Sequence, residues 1–306
     1  MQLSSYTPAA LPRLPTVPGA LAVVAHDAGA ANLLFPWLIA SPNARVFLQG
    51  PAQALWRQRY PERPLCRNLD EALAQAELVL TGTGWASSLE HDARVLAAQQ
   101  GRRSVAVIDH WVNYPMRFER QGVRQWPDEF WLTDAYALAL ATQFFPAERL
   151  RKLSNSYLAE QAGAITPPPA QGDVLVVLEP ARSDWGRLAP DGGPGEPGEF
   201  QALRYFMQRR SVLGLPSGTL VRLRPHPSDP PGKYDSWMAS ADSDGAVMDT
   251  HATLTEALGP ARWVVGAETM ALIVALASGR QALCHLPPWA PPCRLPHGAL
   301  LHLKDW

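Results

Sequence analysis

The residues best suited to chemistry sit in short clusters, each directly behind an apolar run. Behind Leu21–Ala25 comes His26-Asp27-Ala28-Gly29-Ala30-Ala31-Asn32. Small residues there let a ligand approach a helix N-terminus, and Asp27 can act as a general base, with His26, Gly29 and Asn32 as substrate contacts. The plainer alternative is that Asp27 only caps the following helix. Thr81-Gly82-Thr83-Gly84-Trp85 is a tight strand-to-helix turn without the lysine of a GxxxxGK[ST] loop. It is either a plain turn or, through Thr83 and Trp85, the lining of a sugar or acceptor pocket. Asp109-His110-Trp111-Val112-Asn113-Tyr114 is denser in polar and aromatic groups than a connector requires. Aromatic faces stack on pyranose rings while polar groups fix hydroxyls, so Asp109, His110, Trp111 and Asn113 suit a sugar. A core Trp with one satisfied His is the alternative.

The second half carries three more clusters. Glu179-Pro-Ala-Arg182-Ser-Asp-Trp-Gly186 reads as a loop facing a phosphate or a hinge, with Arg182 as a substrate contact. In Arg222-Leu-Arg224-Pro-His226-Pro227, strand alternation puts both arginines on one face, and two prolines hold His226 rigidly at the strand end. A cation and an imidazole held there suit a phosphate, and His can also supply a proton to a departing one. Gly266-Ala-Glu268-Thr269 opens a helix over 268–278, whose backbone N–H groups and Thr269 hydroxyl suit an anion, with Glu268 available for ribose hydroxyls.

The elements that must position these clusters alternate. Strands are expected at 21–25, 45–48, 77–80, 104–108 and 129–132, with helices through 38 and over 51–59, 70–76, 86–100 and 134–143. Residues 163–172 are Pro-rich and read as a linker. Beyond it the alternation restarts, with strands at 174–178, 219–223, 263–265 and 281–284 and helices at 199–210, 252–258 and 268–278. This pattern predicts an α/β protein of two Rossmann-like parallel-sheet domains. The domains run over 20–162 and 173–306, after a Pro-rich tail at 1–19 and with a Gly/Pro-rich loop at 188–198. In open α/β sheets ligands bind outside the carboxyl ends of the strands, where every cluster above lies.

Composition narrows the class. The 306 residues hold 27 Lys+Arg and 28 Asp+Glu, a net charge of −1, which argues against a dedicated nucleic-acid binder. Charged residues are 18% and hydrophobic ones 47%, so neither a disordered polyelectrolyte nor a coiled coil is expected. The 30 prolines and 11 tryptophans are the unusual counts. The tail lacks an apolar signal-peptide core, and no 18-residue apolar run occurs, so a cytoplasmic protein is expected, with peripheral membrane contact still open. The 3 cysteines show no CxxC or Cys/His spacing, so free thiols and no metal are expected.

Two segments, Arg224-Pro-His-Pro227 and Gly266–Gly279, carry a resemblance to GT-B-fold nucleotide-sugar glycosyltransferases. The second is similar to the G-x-x-[ST]-x-x-x-x-A-L-x-x-G helix that faces the donor phosphates in that family. The His-Pro pair resembles the HP motif of bacterial sialyltransferases and related transferases of CMP-activated sugars such as Kdo. The resemblance implies two domains facing a cleft, and transfer from a nucleotide-sugar to a glycan or lipid-linked hydroxyl without metal or cofactor. It places His226 and Arg224-Pro227 at the donor phosphate, Gly266, Glu268 and Thr269 around the nucleotide, and Asp27 or Asp109 as base. Nucleotide-sugar 2-epimerases and hydrolases share the fold and form the alternative. A non-catalytic nucleotide or glycan binder is the third reading.

Overall fold

The computed structural model describes residues 20–39, 41–85, 87–179, 185–186 and 195–306. The N-terminal tail, Arg182 and most of the 188–198 loop lie outside the described residues. The chain divides into two compact units between Tyr157 and Leu158.

The first unit runs β1 (Ala20–Ala25), α1 (Ala28–Ile39), β2 (Arg45–Leu48), α2 (Gly50–Arg59), α3 (Leu69–Leu73), β3 (Ala76–Thr81), α4 (Leu89–Gln99) and β4 (Arg103–Ile108). A two-residue antiparallel pair, β5 (Glu119–Arg120) and β6 (Val123–Arg124), leads to β7 (Glu129–Leu132), α5 (Ala135–Ala141) and β8 (Leu150–Lys152). The helix α6 (Ser156–Gly163) crosses the division. Its sheet has the order β2-β1-β3-β4-β7-β8, and every pairing in it is parallel. Strands buried on both faces must be apolar throughout, which is why Leu21–Ala25 and Val105–Ile108 read as continuous runs. Tryptophans fill much of this core: Trp37 meets Trp131 edge-to-face, and Trp56 packs on Phe35.

The second unit runs β9 (Asp173–Val177), α7 (Gly198–Arg209), β10 (Val221–Arg224), α8 (Asp235–Met238), β11 (Val247–Met248), α9 (Leu254–Leu258), β12 (Ala261–Gly266), α10 (Met270–Ala277), β13 (Gln281–Cys284) and β14 (Leu301–His302). Its sheet, β11-β10-β9-β12-β13-β14, is again wholly parallel. Counted within the unit, that is the doubly wound order in which the chain's direction of winding reverses beside its first strand. A separate core of Val174, Val176, Leu203, Phe206, Leu223, Trp237 and Leu283 lies against this sheet. The expected α/β class with two parallel-sheet domains is met.

Some expected boundaries shift. The helix expected from 86 begins at Leu89, with Ser88 at its N-cap position. The helix expected from 268 begins at Met270, with Thr269 as its cap, so Glu268 stands outside it. No helix among the described residues is long and apolar enough to cross a membrane.

Candidate functional site

In the first unit, the carboxyl ends of β1, β3 and β4 bring three carboxylates together over three glycines. A Cβ on Gly29 would collide with Asp109 Oδ2, and one on Gly82 with Glu90 Oε1. A Cβ on Gly84 would collide with both Asp27 Oδ2 and Glu90 Oε2. Glycine is needed here for close approach, and the acids take up the space it leaves. His26 Nδ1 lies 2.7 Å from Asp27 Oδ1. An ionised Asp only accepts, so the ring proton sits on Nδ1 and the Asp27 oxygen at Gly84 is left for other partners.

Glu90, in the first turn of α4, is fully buried, and its Oε1 accepts from the His26 backbone N–H at 3.0 Å. Burial, with the charges of Asp27 and Asp109 adding, pushes its carboxyl up to about 7. The backbone donor and Arg94 pull the other way. Arg94, one turn further along α4, is also fully buried and donates to Thr81 Oγ1, the Gly82 carbonyl and the Arg117 carbonyl. Arg117 in turn bridges Asp109 Oδ1 at 2.8 Å and Thr83 Oγ1 at 3.0 Å, tying the end of β4 to the turn after β3.

The structure thus gathers His26, Asp27, Gly29, Thr83 and Asp109. Trp85 stays exposed, with the Arg117 guanidinium 6.0 Å from its ring centre. Beside Trp85 opens a groove of about 400 Å³ lined by Met116, Arg120 and Gln121. Asn32 Oδ1 is buried without a partner among the described residues. Trp111 is 4% exposed and its indole donates to Asp134, the α5 cap, at 2.8 Å, so its faces are closed by packing. His110 packs against it, and Asn113 takes a left-handed φ of 61° in the turn that follows.

Glu90, Arg94 and Arg117 did not emerge from the sequence. The signal was there: Glu90 and Arg94 share the α4 stripe that carries Ala93 and Ala97. Opposite charges at i,i+4 read as surface until the alanines on their own face are counted.

In the second unit the corresponding place is the end of β9 and β12. The N–H groups of Ala267 and Glu268 are there, but Glu179 Oε1 accepts both, at 2.9 and 2.7 Å. A carboxylate of the chain itself occupies an anion position. Thr269 Oγ1 accepts from the Ala271 N–H as the α10 cap, and Gly266 is tight against Thr269 and the Val177 carbonyl. Glu268 is buried and paired with Arg294 at 2.8 Å. Arg224 is engaged by Asp249 and by the His251 and Ala252 carbonyls, and Arg222 shares that Asp249. His226 and Pro227 lie on the exposed turn after β10. His226 Nδ1 accepts from the Ser228 N–H at 3.2 Å, so a neutral ring carries its proton on Nε2, and partial burial lowers its pKa.

The three cysteines are free, as expected, but two of them stand close to a histidine. Ligand atoms of Cys284, Cys293 and His302 all lie within 4.8 Å of one another. Nine-residue separations match no short motif; strand pairing and a returning loop bring them together.

No family model and no curated protein matches the chain. Solved structures do. UDP-GlcNAc 2-epimerase from Methanocaldococcus jannaschii, in complex with UDP-GlcNAc and UDP, aligns with TM-score 0.59 at 8% identity, over 94% of this chain and 89% of that one. S. aureus MnaA with UDP aligns at 0.58 and 10% identity, covering 87% and 79%. The Neisseria meningitidis UDP-GlcNAc 2-epimerase bound to UDP-GlcNAc aligns at 0.55 and 8%, covering 87% and 82%. The chain has a GT-B-like fold.

Proposed function

We propose that this GT-B-like chain is an enzyme acting on a nucleotide-activated sugar, with Asp27, Asp109 and Glu90 transferring protons at the sugar. The observation that carries the reading is Glu90, a buried carboxyl with a pKa of about 7 that shares the space over Gly84 with Asp27 and feels the charge of Asp109. A group of that pKa takes and returns protons readily at neutral pH. The nucleotide falls to the second unit, at the Gly266–Thr269 turn, with His226 Nε2–H as a donor to its phosphate. The similar solved structures that carry UDP or UDP-GlcNAc support a nucleotide-sugar as the substrate class.

Epimerisation at C2 removes a proton and returns it, so it takes more than one acid/base group. The three clustered carboxylates favour that reaction, or the related hydrolysis. Transfer to a hydroxyl needs one base, and the exposed Trp85 beside the groove supports it as a second reading, with an acceptor sugar stacked on the indole. A CMP-activated donor belongs to that second reading and rests on Arg224-Pro-His-Pro227.

The test is NMR in D₂O with UDP-, CMP-, GDP- and TDP-sugars. Deuterium at C2, or free sugar released with no acceptor present, is the expected result, slowed about 100-fold by Asp27→Asn. Turnover only when a hydroxyl acceptor is added moves the assignment to transfer. Nucleotide binding with no turnover on any sugar overturns both.

A further inference from the structure

The end of β13 holds a cluster that this reading does not use. Cys284 is the last residue of β13 and pairs in register with Gly266 on one side and His302 on the other. Between β13 and β14, residues 285–300 form turns but neither helix nor strand. This segment brings Cys293 back to the strand ends, where its thiol reaches the Ala267 carbonyl at 3.7 Å. Cys284 is buried, while Cys293 and His302 are half-buried, so the cluster can be reached from solvent.

The geometry points to a zinc site: we propose that Cys284, Cys293 and His302 bind one Zn²⁺. Tetrahedral zinc, about 2.3 Å from sulfur and about 2.0 Å from nitrogen, holds its ligands roughly 3.5–3.8 Å apart. The three donors, already within 4.8 Å of one another, have about 1 Å to close. Two thiolates with an imidazole form a soft set that suits zinc and disfavours calcium or magnesium. Packing alone explains a buried cysteine, but it does not call for two thiols and an imidazole on converging segments. Binding releases one proton from each thiol, the imidazole binds neutral, and no group changes oxidation state. Three protein ligands leave a fourth position for water or another ligand. The metal then fastens the 285–300 segment to two strand ends.

The experiment measures metal on the whole chain purified under reducing conditions. Elemental analysis is expected to find about one zinc per chain. Cobalt(II) added to the chelated protein is expected to give thiolate-to-metal absorption and the visible bands of a tetrahedral site. Cys293→Ser and His302→Ala are each expected to weaken cobalt binding at least tenfold while the thermal melt stays cooperative; Cys66→Ser, in the other unit, leaves it unchanged. The cobalt spectrum of the unaltered chain decides the matter even if a variant fails to fold. No bound zinc and no thiolate–cobalt band overturns the proposal. So does a Cys284–Cys293 disulfide in the reduced preparation, or equal loss in Cys66→Ser.

Discussion

Ionising a carboxyl that is buried beside two others opposes folding, and Glu90 is so placed. Its pKa is about 7 in the folded chain against an ordinary 4.5, so between those values the native state keeps a proton that the unfolded chain has released. Stability from this group is complete below pH 4.5 and is lost as pH rises through 7. Glu90→Gln keeps the shape and the acceptor for the His26 N–H while removing the titration. It is expected to match the parent near pH 5 and to exceed its stability by on the order of 2 kcal/mol at pH 8 in chemical denaturation. Turnover should fall at the same time, by about 100-fold. A variant as active as the parent would leave Glu90 a purely structural acid. At this scale the sequence exposed Asp27 and Asp109, because each belongs to a polar cluster that directly follows an apolar run. It hid Glu90 and Arg117, whose positions depend on which helix face and which turn the glycines admit.

Elements were legible in proportion to their apolar length. β1, β4 and β9 are continuous apolar runs and read directly, whereas β8, β11 and β14 are two or three residues long and carry no period. Helix starts were the least legible, and at α10 the shift matters chemically. The cap is Thr269, and the N–H groups just before it already bind Glu179. Glu179 therefore competes with any phosphate brought to that turn. Glu179→Ala is expected to tighten binding of inorganic phosphate or of the nucleotide roughly tenfold by calorimetry, since two N–H donors are released. It should also lower stability by about 1–2 kcal/mol when no anion fills the place. Unchanged or weaker affinity would mean that the anion binds elsewhere.

On the scale of the whole molecule, the sequence showed two α/β halves because the strand–helix alternation stops at a Pro-rich stretch and starts again. Folding divides the chain slightly earlier, between Tyr157 and Leu158. Trp37, Trp56 and Trp131 belong to the first core and Phe206, Leu223 and Trp237 to the second, and no described core cluster mixes the two. Each sheet is wholly parallel and has its own long-range pairings, so each half holds what a domain needs to fold alone. Residues 20–157 and 158–306, expressed separately, are therefore expected to melt cooperatively, each with a stability on the order of 5 kcal/mol. Circular dichroism and denaturant titration read this directly. Because Cys284, Cys293 and His302 all lie in the second fragment, a folded 158–306 should also keep the cobalt spectrum of the whole chain. A fragment that stays expanded, with no cooperative transition, would show that one core depends on the other, despite their separate side chains.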